Sequence, residues 1–193
     1  MKHLFYPLFV SILCMNALVA QNSLEYTNQT HSLDITKSSI HWKGYYLFKM
    51  AQHEGTVSFE EGSLFTVNGD IKGGSFIIDM TSITNPDYED SGNGPVEHLK
   101  DPDFFHVKKF PKAMLEITAV EYYKDSNDHR FYANLTIKGI TKPVEFIAKV
   151  DSTQKTMHTQ FKIDRTRWGI TYNHDVKDSA ISDGIEFDVF LQF

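Results

Sequence analysis

His98-Leu99-Lys100-Asp101-Pro102-Asp103-Phe104-Phe105-His106-Val107-Lys108-Lys109-Phe110-Pro111 sets three phenylalanines and two prolines among charges, with neither a strand nor a helix period. Leaving rings at that density in water forfeits roughly 1.5–3 kcal/mol per side chain, so the segment needs an apolar surface to receive it. It ends a long excursion, Thr81 to Pro111, between two strand-like runs. About thirty residues are too many for a structureless connection in a compact domain. The first half, from Asn85 to Gly94, is polar and loop-like. Pro95 is placed to open a short helix through Lys100, which Asp101-Pro102 stops.

On either side of the excursion the chain alternates with period two. Phe131, Ala133, Leu135 and Ile137 oppose Tyr132, Asn134, Thr136 and Lys138. Val144, Phe146, Ala148 and Val150 oppose Glu145 and Lys149. Met157, Thr159, Phe161 and Ile163 oppose His158, Gln160, Lys162 and Asp164. Ile185, Phe187, Val189, Leu191 and Phe193 oppose Glu186, Asp188 and Gln192. Phe76, Ile78 and Met80 form another apolar row, as do Leu115, Ile117 and Ala119. Ile40, Trp42, Gly44, Tyr46 and Phe48 make a long first strand, and Val57 with Phe59 starts the next. Such alternation predicts half-buried antiparallel strands, about eight of them. Turn chemistry at Glu60-Glu61-Gly62, Asn68-Gly69-Asp70, Asp125-Ser126-Asn127-Asp128, Lys142-Pro143 and Asp183-Gly184 predicts the connections. No amphipathic helix of useful length interrupts the strands, which excludes parallel βαβ folds. An up-and-down barrel and a two-sheet sandwich both fit. The excursion decides between them: a barrel has an open mouth for a Phe-rich segment to cover, and a sandwich has none. The fold class is therefore all-β, an eight-stranded antiparallel barrel with a long excursion containing a short helix.

The chain has 193 residues, a net charge of −6 and one cysteine. Residues 1–20 read as a signal peptide: Lys2 and His3, an apolar run from Leu4 to Val19, then the small Ala20. Cleavage near Ala20 leaves 173 residues without Cys14 and, once Lys2 is lost, 18 basic groups against 25 acidic, a net −7. The expected location is the periplasm or the medium, with no disulfide framework, so the fold stands on its core. An acidic chain without a basic cluster is a poor ligand for a phosphate backbone, and nucleic acid is not an expected partner.

Four segments resemble one family in the same order. His98-Leu99-Lys100, Asp103-Phe104-Phe105 and Lys109-Phe110-Pro111 resemble the H-L-x-x-x-D-F-F-x-x-x-x-[FY]-P stretch of the YceI-like family. Leu135-Thr136-Ile137-Lys138-Gly139-Ile140-Thr141-Lys142-Pro143-Val144 is similar to its L-T-[IL]-x-G-[VI]-T-[KR]-P-V hairpin. Ile163-Asp164-Arg165-Thr166-Arg167-Trp168-Gly169-Ile170 and Ile181-Ser182-Asp183-Gly184-Ile185-Glu186-Phe187 are similar to its later segments. The resemblance divides the chain into the signal peptide, an N-terminal segment 21–31 and a lipid-binding β-barrel domain over 32–193. It implies a lipocalin-like barrel, exported, holding a long isoprenoid such as a polyprenyl phosphate or a quinone tail, with no catalytic residues.

An eight-stranded barrel has room inside for side chains or for one small ligand. Trp42, Phe76, Ile78, Leu135 and Phe187 are candidates for the inner wall; periodicity alone favours a solid core, and the resemblance reverses that reading towards a ligand. Leu99, Phe104, Phe105 and Phe110 are candidates for the mouth, with packing outside the barrel as the alternative for the rings. His53 and His98 are placed to hydrogen-bond a head group, and Arg165 to pair with an anionic one or with a structural carboxylate. The nine histidines lack zinc spacing and no cysteine assists them, so neither a metal nor another cofactor is expected. The acidic pairs Glu60-Glu61 and Glu89-Asp90 read as solvated turns. The expected function is non-enzymatic carriage or storage of an isoprenoid lipid or quinone, with transient membrane contact and an architecture compatible with a homodimer. Two alternatives remain open: an enzyme acting on a quinone or small apolar molecule through His41, His53 or His98, and an interaction module with a solid barrel.

Overall fold

The computed structural model describes residues 26–46, 52–86, 95–171 and 181–193. The signal segment 1–20, residues 21–25, Phe48 and positions 87–94 of the excursion lie outside the described residues. Among the described residues, no helix is long and apolar enough to cross a membrane.

The described residues form nine strands: β1 (Asn28–Ser32), β2 (Ser39–Tyr46), β3 (Gln52–Val67), β4 (Asp70–Asp79), β5 (Lys112–Tyr123), β6 (Asp128–Ile137), β7 (Ile140–Asp151), β8 (Thr156–Asp164) and β9 (Ile181–Gln192). From β2 to β9 each strand pairs antiparallel with the next, and β9 returns to β2 with Trp42 opposite Phe187. Eight strands thus close a barrel, which removes the sheet edges an open meander would expose. β1 is additional. It pairs with the far half of β3, Asn28 opposite Val67 to Ser32 opposite Ser63, while β2 pairs with the near half, Ile40 opposite Val57 to Tyr45 opposite Gln52. β1 and β2 are two pieces of one interrupted strand, and β3 runs to 16 residues because it serves both.

The inward rows of β6 and β7 are buried as alternation predicts, with Phe131 fully inaccessible. Two of the expected turns are hairpins: Asn68-Gly69 between β3 and β4, and Asp125 to Asp128 between β5 and β6. Three others are not turns. Glu60-Glu61-Gly62 lies inside β3, where the register slips between Phe59 and Glu61, so these exposed carboxylates sit on a bulged strand. Lys142-Pro143 lies inside β7 and Asp183-Gly184 inside β9. The β6–β7 hairpin turns instead at Lys138-Gly139, both at positive φ (53° and 75°), the geometry of a two-residue I′ turn. Ala119 is another departure: a bulge between Ile117 and Ala119 reverses the phase of β5, so Ala119 is exposed and Val120 packs on the core.

Candidate functional site: an apolar cavity

In an up-and-down barrel the β2–β3, β4–β5, β6–β7 and β8–β9 connections share one end. The β4–β5 connection is the excursion, and it caps that end. Its two ends are tied by Met80 N–H donating to the Pro111 carbonyl at 2.9 Å. Helix α1 (Pro95–Lys100) forms where Pro95 predicts it. The chain then coils tightly: Phe105 N–H donates to Leu99 O, His106 N–H to Asp101 O and Val107 N–H to Lys100 O. This coil seats Phe104 (3 % exposed) and Val107 in the core, and Lys138 Nζ holds it from the β6–β7 turn through Pro102 O at 3.0 Å. The start of the excursion lies on β3. Thr84 N–H donates to Thr56 O at 2.9 Å, and a Cβ on Gly55 would stand 1.8 Å from Thr84 O, so that approach requires glycine.

Beneath the cap is a cavity of about 330 Å³. Trp42, Phe76, Ile78, Leu135 and Phe187 line its wall, Leu99, Phe104 and Phe105 its roof, and His53, His98 and Arg165 its capped end. Phe110 does not reach it. Its ring lies against Gly139, 3.0 Å from where a Cβ would stand, and edge-on to His106, so it packs on the β6–β7 turn outside the cavity. His41 is exposed, opposite Asp188 on the outer face. Sequence reasoning passed over Phe146 and Phe161 as ligand wall, although the inward alternation of β7 and β8 marks both; their rings stack across the strands at 5.1 Å. Trp168, fully buried, donates Nε1–H to Leu135 O at 3.0 Å, a placement that no periodicity signals.

Most polar groups of the cavity gather at the capped end, Thr159 on β8 being an exception. The Tyr46 hydroxyl and His53 Nε2 are hydrogen-bonded at 2.7 Å. Arg165, 3 % exposed, donates to Ser182 O, Ile170 O and Ile181 O and to the Asp183 carboxylate at 3.1 Å. Burial pushes its guanidinium below its usual range, with Asp183 and Asp164 opposing. These bonds close the base of the β8–β9 connection, so Arg165 acts as a main-chain clamp with a structural carboxylate partner. His98 stands between two carboxylates, Asp101 at 4.0 Å from Nδ1 and Asp103 at 3.9 Å from Nε2. These are the metal-ligand types that come together among the described residues. One ligand atom from each of the three lies within 4.8 Å of the others, and both carboxylates are exposed.

The model of the YceI-like domain matches residues 31–193. The chain belongs to the YceI-like family. Curated relatives of this YceI-like chain include a UPF0312 protein of Pectobacterium atrosepticum, 41% identical over 54 residues, and Protein YceI of Salmonella arizonae, 39% identical over 54 residues. Each match covers 28% of the chain, which spans 27% of the length of these relatives. Among solved structures, BcnA of Burkholderia cenocepacia superposes with a TM-score of 0.67 at 19% identity, over 82% of this chain and 98% of that one. A mutant of a Campylobacter jejuni YceI protein gives 0.52 at 15% identity, over 100% and 93%. At such identities the superpositions speak for the fold, an eight-stranded barrel with an extra strand. The YceI-like barrel is hollow, lined by apolar side chains and capped, and this architecture suits an apolar ligand.

Proposed function

We propose that the protein carries or stores a long isoprenoid lipid, a polyprenyl phosphate or an isoprenoid quinone, without chemical change and outside the cytoplasm. The observation behind this reading is the cavity: largely apolar walls, with most of the polar lining groups at the capped end, match a molecule with a long apolar tail and one polar head. Each five-carbon isoprene unit buried contributes about 3–4 kcal/mol gross, at roughly 0.8 kcal/mol per CH₂-sized group, before the cost of ordering the chain. Shape and dryness suffice for such retention, and delivery involves transient contact with a membrane. The solid-barrel alternative loses its premise, because the interior is hollow.

A second reading, an enzyme acting on a quinone or small apolar molecule, has one observation of its own. The Tyr46–His53 hydrogen bond places a donor–acceptor pair at the capped end of the cavity. Native mass spectrometry of the exported protein, followed by organic extraction, tests both readings. The carrier reading expects one isoprenoid per chain, recovered unchanged after incubation. A product of different mass would favour the enzyme. A protein that arrives empty and takes up neither polyprenyl lipids nor quinones would remove both.

A further inference from the structure

The barrel wall is not closed evenly. The β6–β7 ladder runs from Asp128 opposite Lys149 to Ile137 opposite Ile140, and the β8–β9 ladder from Thr156 opposite Gln192 to Asp164 opposite Gly184. Between them, β7 and β8 pair only from Ala148 opposite Thr159 to Asp151 opposite Thr156. Beyond that point the two strands continue without a ladder, Ile140 to Ile147 on one side and Gln160 to Asp164 on the other. Alternation turns the main-chain groups of Pro143, Glu145 and Ile147 towards the seam, and those of Gln160 and Lys162 towards it from β8. Side chains stand in where the ladder stops. The Thr159 hydroxyl donates to Ile147 O at 2.7 Å, and Arg167 Nη2 donates to Pro143 O at 2.8 Å. Pro143 brings no N–H to this edge, which suits a strand left unpaired there.

The seam is open to the outside. A groove of about 390 Å³ lies over it, and Val144 and Ile163 line that groove although both belong to the inward, buried rows of β7 and β8. Two residues along each strand, Phe146 and Phe161 line the inner cavity, with their rings stacked at 5.1 Å. The Phe146–Phe161 pair thus lies next along the seam to the groove-lining Val144 and Ile163, in the middle of a row of stacked rings from Phe131 to Phe187. Elsewhere the ladders are longer: the β4–β5 pairing, which also stops short of the strand ends, still runs from Gly74 opposite Ile117 to Asp79 opposite Lys112, and the mouth is covered by Leu99, Phe104 and Phe105.

From this we infer that the β7–β8 seam is the portal through which cargo enters and leaves, by parting of the Phe146–Phe161 stack while the excursion stays seated. The inference rests on the carrier reading above. Opening here parts the Phe146–Phe161 stack and the Thr159 and Arg167 hydrogen bonds but breaks no main-chain ladder, provided that Trp168, which donates to Leu135 O from beyond β8, stays seated. Opening the mouth would unseat Phe104 and Val107 from the core together with the turns that hold them.

The test straps the seam. Glu145 and Lys162 are exposed and line the groove from opposite strands. In a chain carrying Cys14→Ser, Glu145→Cys and Lys162→Cys are joined by a short cleavable bis-maleimide. A control strap joins Lys43→Cys and Glu186→Cys, directly opposite in the continuous β2–β9 ladder. The probe is all-trans-retinol, an isoprenoid alcohol, offered in phosphatidylcholine vesicles and followed by its fluorescence. The expected result is uptake and release both slowed at least tenfold by the seam strap, with unchanged occupancy at equilibrium. Cleaving the strap restores the rates, which excludes misfolding as the cause, and the control strap leaves them unchanged. Rates unaffected by the seam strap would overturn the portal and return the route to the mouth, with the carrier reading intact. Failure of the unstrapped protein to take up retinol, and equally the polyprenyl lipids and quinones of the carrier reading offered in the same vesicles, would instead overturn the carrier reading and the portal with it.

Discussion

Arg165 shows how one residue can mislead when read by type alone. Its planar fork suits a phosphate, and its place at the capped end of the cavity agrees with that. Its bonds to three carbonyls and Asp183, however, engage it in holding the β8–β9 connection. Main-chain acceptors carry no side-chain pattern, so this role was not legible in the sequence, whereas a carboxylate partner was. Arg165→Lys keeps the charge and loses the fork. With hydrogen bonds to charged groups contributing about 1.5–3 kcal/mol each, urea denaturation should show a loss of about 2–4 kcal/mol. His129 gives a pH-dependent counterpart. Its ring lies between Tyr122 (4.6 Å) and Phe131 (6.2 Å), and burial pushes its pKa below the ordinary histidine value, with Asp128 and Asp70 opposing. The unfolded chain therefore binds the proton more readily, and its contribution, full above the ordinary value near ~6.5, is lost as pH falls through the lower folded value. His129→Gln should shrink the drop in thermal midpoint between about pH 7.5 and pH 5.5; an undiminished drop would place the acid sensitivity elsewhere.

Among the elements, the excursion was the most legible because its chemistry is local. Pro95 opens a helix, Asp101-Pro102 ends it, and rings that water disfavours must be seated. The strands were legible by face, since alternation follows from the pleat, but not by end. Glu60-Glu61-Gly62, Lys142-Pro143 and Asp183-Gly184 carry turn residues yet lie inside strands. Each sits where the local pairing is irregular or incomplete: a register slip in β3, the unladdered edge of β7, and the start of β9 beside the clamp. Turn residues report that a ladder is locally relaxed, and a long barrel strand can meet that condition without reversing. The same limit hid β1, whose Asn-Gln-Thr-His-Ser has no apolar alternation. For the cap, Phe104 is decisive. It is buried, stacks edge-on with Phe105 at 5.0 Å and lies beneath the Arg165 guanidinium at 5.8 Å. Phe104→Ala should lower stability by about 3–5 kcal/mol and increase the escape of a preloaded apolar ligand. Phe110→Ala, on the outer turn, should affect stability without changing escape. Equal escape from both variants would mean that the cap does not retain cargo.

For the molecule as a whole, a hollow barrel forgoes packing that a solid one would have, and Gly44 shows where. It lies on the inward row of β2 between Trp42 and Tyr46, lines the cavity, and a Cβ added there meets no atom within 4 Å. Glycine inside a strand is destabilising by roughly 0.5–1 kcal/mol relative to alanine, so stability alone would favour a side chain at this position. Its φ is not positive, so no turn geometry requires glycine there. Gly44→Val therefore supplies a β-branched residue that fits a strand and fills empty volume without a clash. The expected outcome is a gain of about 1–2 kcal/mol in urea denaturation, from restored strand propensity and partial burial of the added methyls, together with at least a tenfold loss of apolar-ligand uptake. The two changes must occur together for the argument to hold. Stability gained with uptake unchanged would show that cargo avoids the β2 wall. Stability lost would show that the space beside Gly44 is not open in solution. Only the joint result identifies the empty volume as functional, in the sense that selection keeps a less stable barrel because a filled one cannot carry.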